Sequence, residues 1–174
     1  MHHQWGLDIE YSYEPRPLGT AGPIALIDDL SDTFLVTNGD VLTTMQFGDL
    51  INFHKEQQAV ATIAVHHRKV KIDLGVIQWN GSPRITGYIE KPTYDYNVSM
   101  GVYVFEPQVI SYIPRGEYLD FPDLAKKLID AGEKVVGYRY EGYWQDLGRP
   151  DDYETAAQEF EKMRPQILPE QQKG

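Results

Sequence analysis

Residues 35–40 read Leu-Val-Thr-Asn-Gly-Asp, an apolar run that stops on a glycine and a carboxylate. In an open α/β sheet, ligands bind in the crevice beyond the carboxyl ends of the strands, so a strand of this form delivers Asp40 to that crevice. Gly39 lets the backbone turn at once and leaves the carboxylate at the strand's end. A second carboxylate stands in the same setting in Trp144-Gln145-Asp146-Leu147-Gly148. Asp40 could instead cap its own turn, and Asp146 could stand as an N-cap relative of the helix expected from Arg149. Paired strand-end carboxylates also suit a hard cation shared between protein oxygens and substrate phosphates.

The rest of the chain reads as helices alternating with strands. Strand patterning is expected at residues 9–14, 34–38, 60–65, 75–79, 84–90, 98–105 and 134–140. Helical spacing is expected at 23–30, around Phe47, Leu50, Ile51 and Phe53, at 107–113, at 121–131 and at 149–162. The last of these has Pro150, Asp151 and Asp152 at its start, which favour a helix N-terminus. This order implies an α/β fold with a largely parallel, doubly wound, Rossmann-like sheet and a small antiparallel insertion in the middle. The 174 residues suffice for one domain with a core, placed at 1–162, with a polar tail at 163–174 expected to fray.

Composition narrows the partners. A net charge of −10 argues against a nucleic-acid backbone, which needs a basic face to displace counterions. An anionic small substrate would need a metal ion or a local cluster of positive groups. No apolar run approaches the ~20 residues that span a bilayer, and no signal peptide is recognised, so no membrane role is expected. Without cysteine there are no disulfides or thiolate metal sites, and the cytoplasm is the default location.

Three further segments carry candidate chemistry. Pro17-Leu18-Gly19-Thr20-Ala21-Gly22 is a glycine-rich turn ahead of a helix, able to offer backbone N–H groups to an anion or to serve as a plain structural turn. Glu90-Lys91-Pro92 closes a strand; its charges are either a solvated pair or a phosphate-binding lysine beside a hydroxyl-binding glutamate. His66-His67 precede Arg68, Lys69 and Lys71, but adjacent strand residues face opposite sides and do not chelate jointly.

Taken together, these segments resemble the sugar-nucleotidyltransferases of the mannose- and glucose-1-phosphate type, over about residues 5–160. Five stretches match in order: Glu14 with 17–22, then 34–40, Gly75-Val76-Ile77, Glu90-Lys91-Pro92, and 143–153. The resemblance implies that Gly19 and Thr20 lie against the nucleotide base and ribose and that Asp40 and Asp146 hold Mg2+, with Asp40 also counted among the nucleotide contacts. It implies that Gly75, Glu90, Lys91 and Ser99 meet the sugar and its phosphate, and that Asp40, Lys91 and Asp146 carry the catalysis. Sugar 1-phosphate and nucleoside triphosphate are the implied substrates. Where many relatives have Asn-Ala-Gly, this chain has Ser99-Met100-Gly101. The family's opening strand and Gly-x-Gly-x-Arg-Leu phosphate loop are absent from these residues. The expectation is therefore an N-terminally truncated sugar-1-phosphate nucleotidyltransferase, inactive or weakly active alone. The alternative is a non-catalytic sugar-phosphate or nucleotide-binding module, or an oligomeric interaction protein. Loss of a central first strand would leave 34–38 at an open edge, which favours a homo-oligomer covering it.

Overall fold

The computed structural model describes residues 8–148 and 150–167, without the side chains of 150–155 and 161. Its strands and α-helices run β1 (Phe34–Thr37), β2 (Val41–Thr43), α1 (Phe47–Gln57), β3 (Ala61–Lys71), β4 (Val76–Trp79), β5 (Ile85–Ile89), β6 (Thr93–Phe105), α2 (Phe121–Asp130), β7 (Val135–Tyr140), β8 (Trp144–Asp146) and α3 (Pro150–Ile167). Short 3-10 turns occupy Gly22–Leu26 and Pro107–Tyr112. A four-stranded sheet has the order β1-β6-β3-β7, so among the described residues β1 lies at its edge, as expected of residues 34–38. Two antiparallel ribbons, β2-β8 and β4-β5, complete the strand set.

Contacts divide the chain into two compact units. The first comprises residues 8–36, 48–62 and 103–136 of the described chain. Its core follows from helical spacing: Phe121, Leu124 and Leu128 fall on one face of α2 and are buried. Pro122, in the first turn, has no N–H that a helix would need there. Phe121 stacks on Tyr103 at 4.2 Å between ring centroids, and Phe105 packs beside both. Each fully buried side chain of this size contributes about 1.5–3 kcal/mol. One polar chain crosses this core. His54 of α1 bonds Thr62 at 2.8 Å through Nδ1 and Glu106 at 3.1 Å through Nε2, and the Thr33 hydroxyl donates to the same Glu106 oxygen.

The second unit comprises 37–47, 63–102 and, among the described residues, 137–148 and 150–167. It holds both ribbons, and its buried apolar side chains among the described residues are few: Met45, Ala64, Met100, Val102 and Ala156.

Several sequence expectations need correction. Residues 9–14 form no strand; Ile9, Tyr11 and Tyr13 alternate but stay exposed, because alternation without a partner ladder leaves backbone groups to water. The helix expected at 23–30 is a single 3-10 turn, which tightens where the chain is too short and proline-led to nucleate an α-helix. Residues 107–113 likewise form a 3-10 turn. The last helix continues past 162 to Ile167, with Pro165 inside it, so the tail expected from 163 is helical for its first residues. Residues 1–7, 149 and 168–174 lie outside the described residues. Strands β3 and β6 are longer than their apolar patterns suggested, because pairing carries polar residues such as His66, Arg68 and Asp95 into the ladder. Among the described residues no helix is long and apolar enough to cross a membrane.

Candidate functional site

In the second unit, Asn38-Gly39-Asp40 leaves β1 and turns into β2, whose three residues pair with β8 in the register Val41↔Asp146, Leu42↔Gln145 and Thr43↔Trp144. The Leu147 N–H donates to the Asp40 carbonyl at 2.8 Å and extends the ribbon by one rung. Antiparallel pairing thus brings together two carboxylates 106 residues apart, the difference between positions 40 and 146. A Cβ placed on Gly148 would lie 3.0 Å from Asp146 Oδ1 and 3.4 Å from Asp40 Oδ2, so the two oxygens are within about 6.4 Å, the sum of those distances. Gly148 leaves the space between them open, and its N–H donates to Asp146 Oδ1 at 2.8 Å. Both aspartates are exposed and neither forms an ion pair among the described residues.

The same strand end is braced against Ser99-Met100-Gly101 of β6. The Asn38 N–H donates to the Gly101 carbonyl at 2.8 Å, and Trp144 Nε1 donates to the Met100 carbonyl at 3.0 Å. Gly101 has φ +72°, and a Cβ there would meet Asn38 Nδ2 at 2.7 Å, so only glycine allows this approach. Ser99 Oγ accepts from the Gly101 N–H at 3.3 Å. Among the described residues no group of three or more His, Asp or Glu side chains stands ready to hold a metal. Two carboxylates with open space between them could supply only part of a hard cation's coordination, the rest coming from water or phosphate.

A second cluster in the same unit lies at the base of the β4-β5 ribbon. Tyr88 Oη donates to Glu90 Oε2 at 3.0 Å, and the same phenol lies over Gly75, where a Cβ would come within 2.0 Å of it. Gly75 and Glu90, two of the four residues that the resemblance assigns to the sugar and its phosphate, are thus joined by Tyr88, which stands opposite Ile77 in the ribbon and which no sequence signal singled out. Lys91 has φ +43°, one of two non-glycine residues in the left-handed region among the described residues. Its position directly before Pro92 adds steric cost. Strain of this kind concentrates at functional sites.

The first unit holds the 17–22 turn, and there the structure changes the reading. The Thr20 N–H donates to Asp120 Oδ1 at 2.9 Å, while those of Ala21 and Gly22 converge on the Leu119 carbonyl at 2.9 and 3.0 Å. These amides are engaged in packing and do not cradle an anion. The Thr20 hydroxyl accepts from the Phe121 N–H at 2.9 Å and donates to Asp120, so it caps α2 from a distant segment. Gly19, at φ +77°, could bear no side chain: a Cβ would sit 2.6 Å from the Leu119 carbonyl oxygen. Asp120 also accepts from Tyr118 Oη; that bond, then the Thr20 N–H, holds its carboxyl below the ordinary range against a smaller desolvation effect. Glu14 Oε2 accepts from the Leu18 N–H at 2.9 Å and fixes the entry to the turn.

Comparison with known proteins gives a consistent picture. The model of the nucleotidyl transferase family matches residues 1–163. A mannose-1-phosphate guanyltransferase of Yarrowia lipolytica is 35% identical over 161 residues, covering 86% of this chain and 43% of that protein. A UTP–glucose-1-phosphate uridylyltransferase of Synechocystis is 31% identical over 170 residues, covering 86% of this chain and 44% of its own. The chain thus spans under half the length of these relatives. Among solved structures, a putative glucose-1-phosphate thymidylyltransferase from Bacillus anthracis superposes with a TM-score of 0.60 at 22% identity, covering 82% of this chain and 61% of that one, which establishes the α/β fold.

Proposed function

Because the chain belongs to the nucleotidyl transferase family, we propose that it carries the metal-binding and sugar-phosphate-binding side of a sugar-1-phosphate nucleotidyltransferase site. In that reaction an oxygen of the sugar 1-phosphate attacks the α-phosphorus of a nucleoside triphosphate. The bond from that phosphorus to the bridging oxygen of the β-phosphate breaks, and pyrophosphate leaves with the electron pair. The observation that carries the reading is the convergence of Asp40 and Asp146 on the open space at Gly148.

The donor set fits Mg2+: two exposed carboxylates, all oxygen, with room for water and phosphate. When bound, the ion supplies neutralisation of phosphate charge. The chain's own residues orient the sugar. Glu90 accepts hydrogen bonds from sugar hydroxyls, the Gly75 backbone and Ser99 approach the ring, and the Lys91 ammonium faces the phosphate. Positioning together with preorganised charge is the main source of rate in phosphoryl and nucleotidyl transfer. With the Thr20 amide engaged by Asp120, Gly19 and Thr20 would meet base and ribose through the outer surface of the turn.

The relatives transfer different bases to different hexose phosphates, so mannose 1-phosphate and glucose 1-phosphate are the first ligands to test. Ligand-observed NMR on the purified chain should show a sugar 1-phosphate binding near millimolar affinity, about −4 kcal/mol, and Lys91→Ala should abolish it. Binding indifferent to Lys91→Ala defeats the reading. Because these 174 residues include no Gly-x-Gly-x-Arg-Leu phosphate loop, pyrophosphate release with Mg2+ and nucleoside triphosphate should stay at background. Turnover on the order of 1 per second or faster would show that loop to be dispensable.

A further inference from the structure

The β4-β5 ribbon sets Ile77 opposite Tyr88. Residues two apart on a strand share a face, so Gly75 and Ile77 on one side of the hairpin, and Tyr88 and Glu90 on the other, fall on the same face. Gly75 leaves a gap in that face, and the Tyr88 phenol fills it. A Cβ on residue 75 would run into the phenol oxygen and Cζ, so the ring can lie there only because the residue beneath it is glycine.

The placement has a consequence for Glu90. Tyr88 Oη donates to Glu90 Oε2 at 3.0 Å, while Oε1 has no hydrogen-bond partner among the described residues. An exposed glutamate otherwise turns freely about several torsions, and holding one oxygen restricts where the other can point. Tyr88 is 63% exposed, so its bond to Glu90 replaces contacts with water and contributes little to folding. The arrangement is therefore better suited to orienting a carboxylate than to stabilising the ribbon.

We propose that Tyr88 is a positioning residue, which holds Glu90 by Oε2 and leaves Oε1 ordered and free to accept from a sugar hydroxyl, and that Gly75 serves it by making room for the ring. The proposal rests on the reading of Glu90 given above and deepens it. Tyr88 touches no reacting atom and acts through Glu90 alone. Ordering one flexible side chain in advance is worth about three- to tenfold in affinity, because that cost is no longer met on binding.

The test is ligand-observed NMR titration of the purified chain with mannose 1-phosphate and glucose 1-phosphate, with a thermal melt of every variant. Tyr88→Phe keeps the ring over Gly75 and removes only the donor; it should weaken sugar 1-phosphate binding about three- to tenfold and leave the melt unchanged. Gly75→Ala, which displaces the ring, should give a loss of the same size. In a Glu90→Ala background Tyr88→Phe should have no further effect, a coupling that a merely structural tyrosine would not show. Trp79→Ser, which removes another exposed aromatic of the ribbon, should change binding by less than about twofold. The proposal is overturned if Tyr88→Phe binds as the parent does, if it lowers the melt along with the affinity, if its effect persists without Glu90, or if Trp79→Ser weakens binding as much. Lys91→Ala keeps the two ideas apart. Binding abolished by Lys91→Ala and untouched by Tyr88→Phe overturns this proposal and leaves the function reading standing; binding that ignores Lys91→Ala but falls in Tyr88→Phe does the reverse. A parent chain that binds neither sugar 1-phosphate defeats both.

Discussion

The two compact units differ in how they use their side chains. Of the twenty-two buried apolar residues described, seventeen lie in the first unit and five in the second. The first is stacked aromatics and leucines, with its polar groups engaged among themselves, as in the His54, Thr62 and Glu106 chain. The second keeps Asp40, Asp146, Glu90 and Lys91 exposed, a strained backbone at Lys91, and an apolar ribbon with Trp79, Ile85 and Tyr88 open to solvent. Groups that must meet a charged ligand cannot also be buried in a dry core, because desolvating them costs more than packing returns. Stability is concentrated in one unit and candidate chemistry in the other.

The sharpest way to break that contrast is to mutate both sides. Leu124→Ala, at a fully buried position of the first unit, should lower unfolding free energy by about 2–5 kcal/mol in denaturant titration. Asp40→Asn with Asp146→Asn should change it by only about 0.5 kcal/mol, while the upward thermal shift expected of the parent on adding Mg2+ should be lost. If the asparagine pair unfolds as readily as Leu124→Ala, the aspartates are structural and the contrast fails.

A smaller effect is expected at Lys91. Lys91→Gly relieves the left-handed strain but gains unfolded-state freedom, so stability should move by less than about 1 kcal/mol, with sugar-phosphate binding lost. A large destabilisation would mean that the lysine side chain holds the fold.

The smallest effect concerns acid. Asp120 has a folded-state pKa below its ordinary 3.8, so its stabilising contribution is present above that value and is lost as pH falls through the lower folded value. Thermal melts should therefore show the first unit weakening at strongly acid pH, and Asp120→Asn should flatten that dependence. Unchanged acid sensitivity in Asp120→Asn would place the responsible carboxylate elsewhere.

Much of this was legible in the sequence. The apolar run before Asn38-Gly39-Asp40, the face made by Phe121, Leu124 and Leu128, and the ordered motifs through Trp144 to Gly148 determined the α/β class and the family. Those signals are local: periodicity and turn chemistry act over a few residues, and motifs record them directly. Where local alternation lacked a partner, as at residues 9–14, the reading failed.

Other features depend on contacts between segments far apart in the chain. Nothing local to residue 20 shows that its hydroxyl caps a helix starting at 121, or that the amides beside it are engaged by Leu119 and Asp120. Nor does any spacing reveal that Tyr88 bridges Gly75 and Glu90. The sequence by itself determined which elements form and which residue types carry charge. Only the tertiary structure decided which donors were already spent and which charges were left without a partner, because hydrogen-bond satisfaction and charge pairing are settled by packing across the chain.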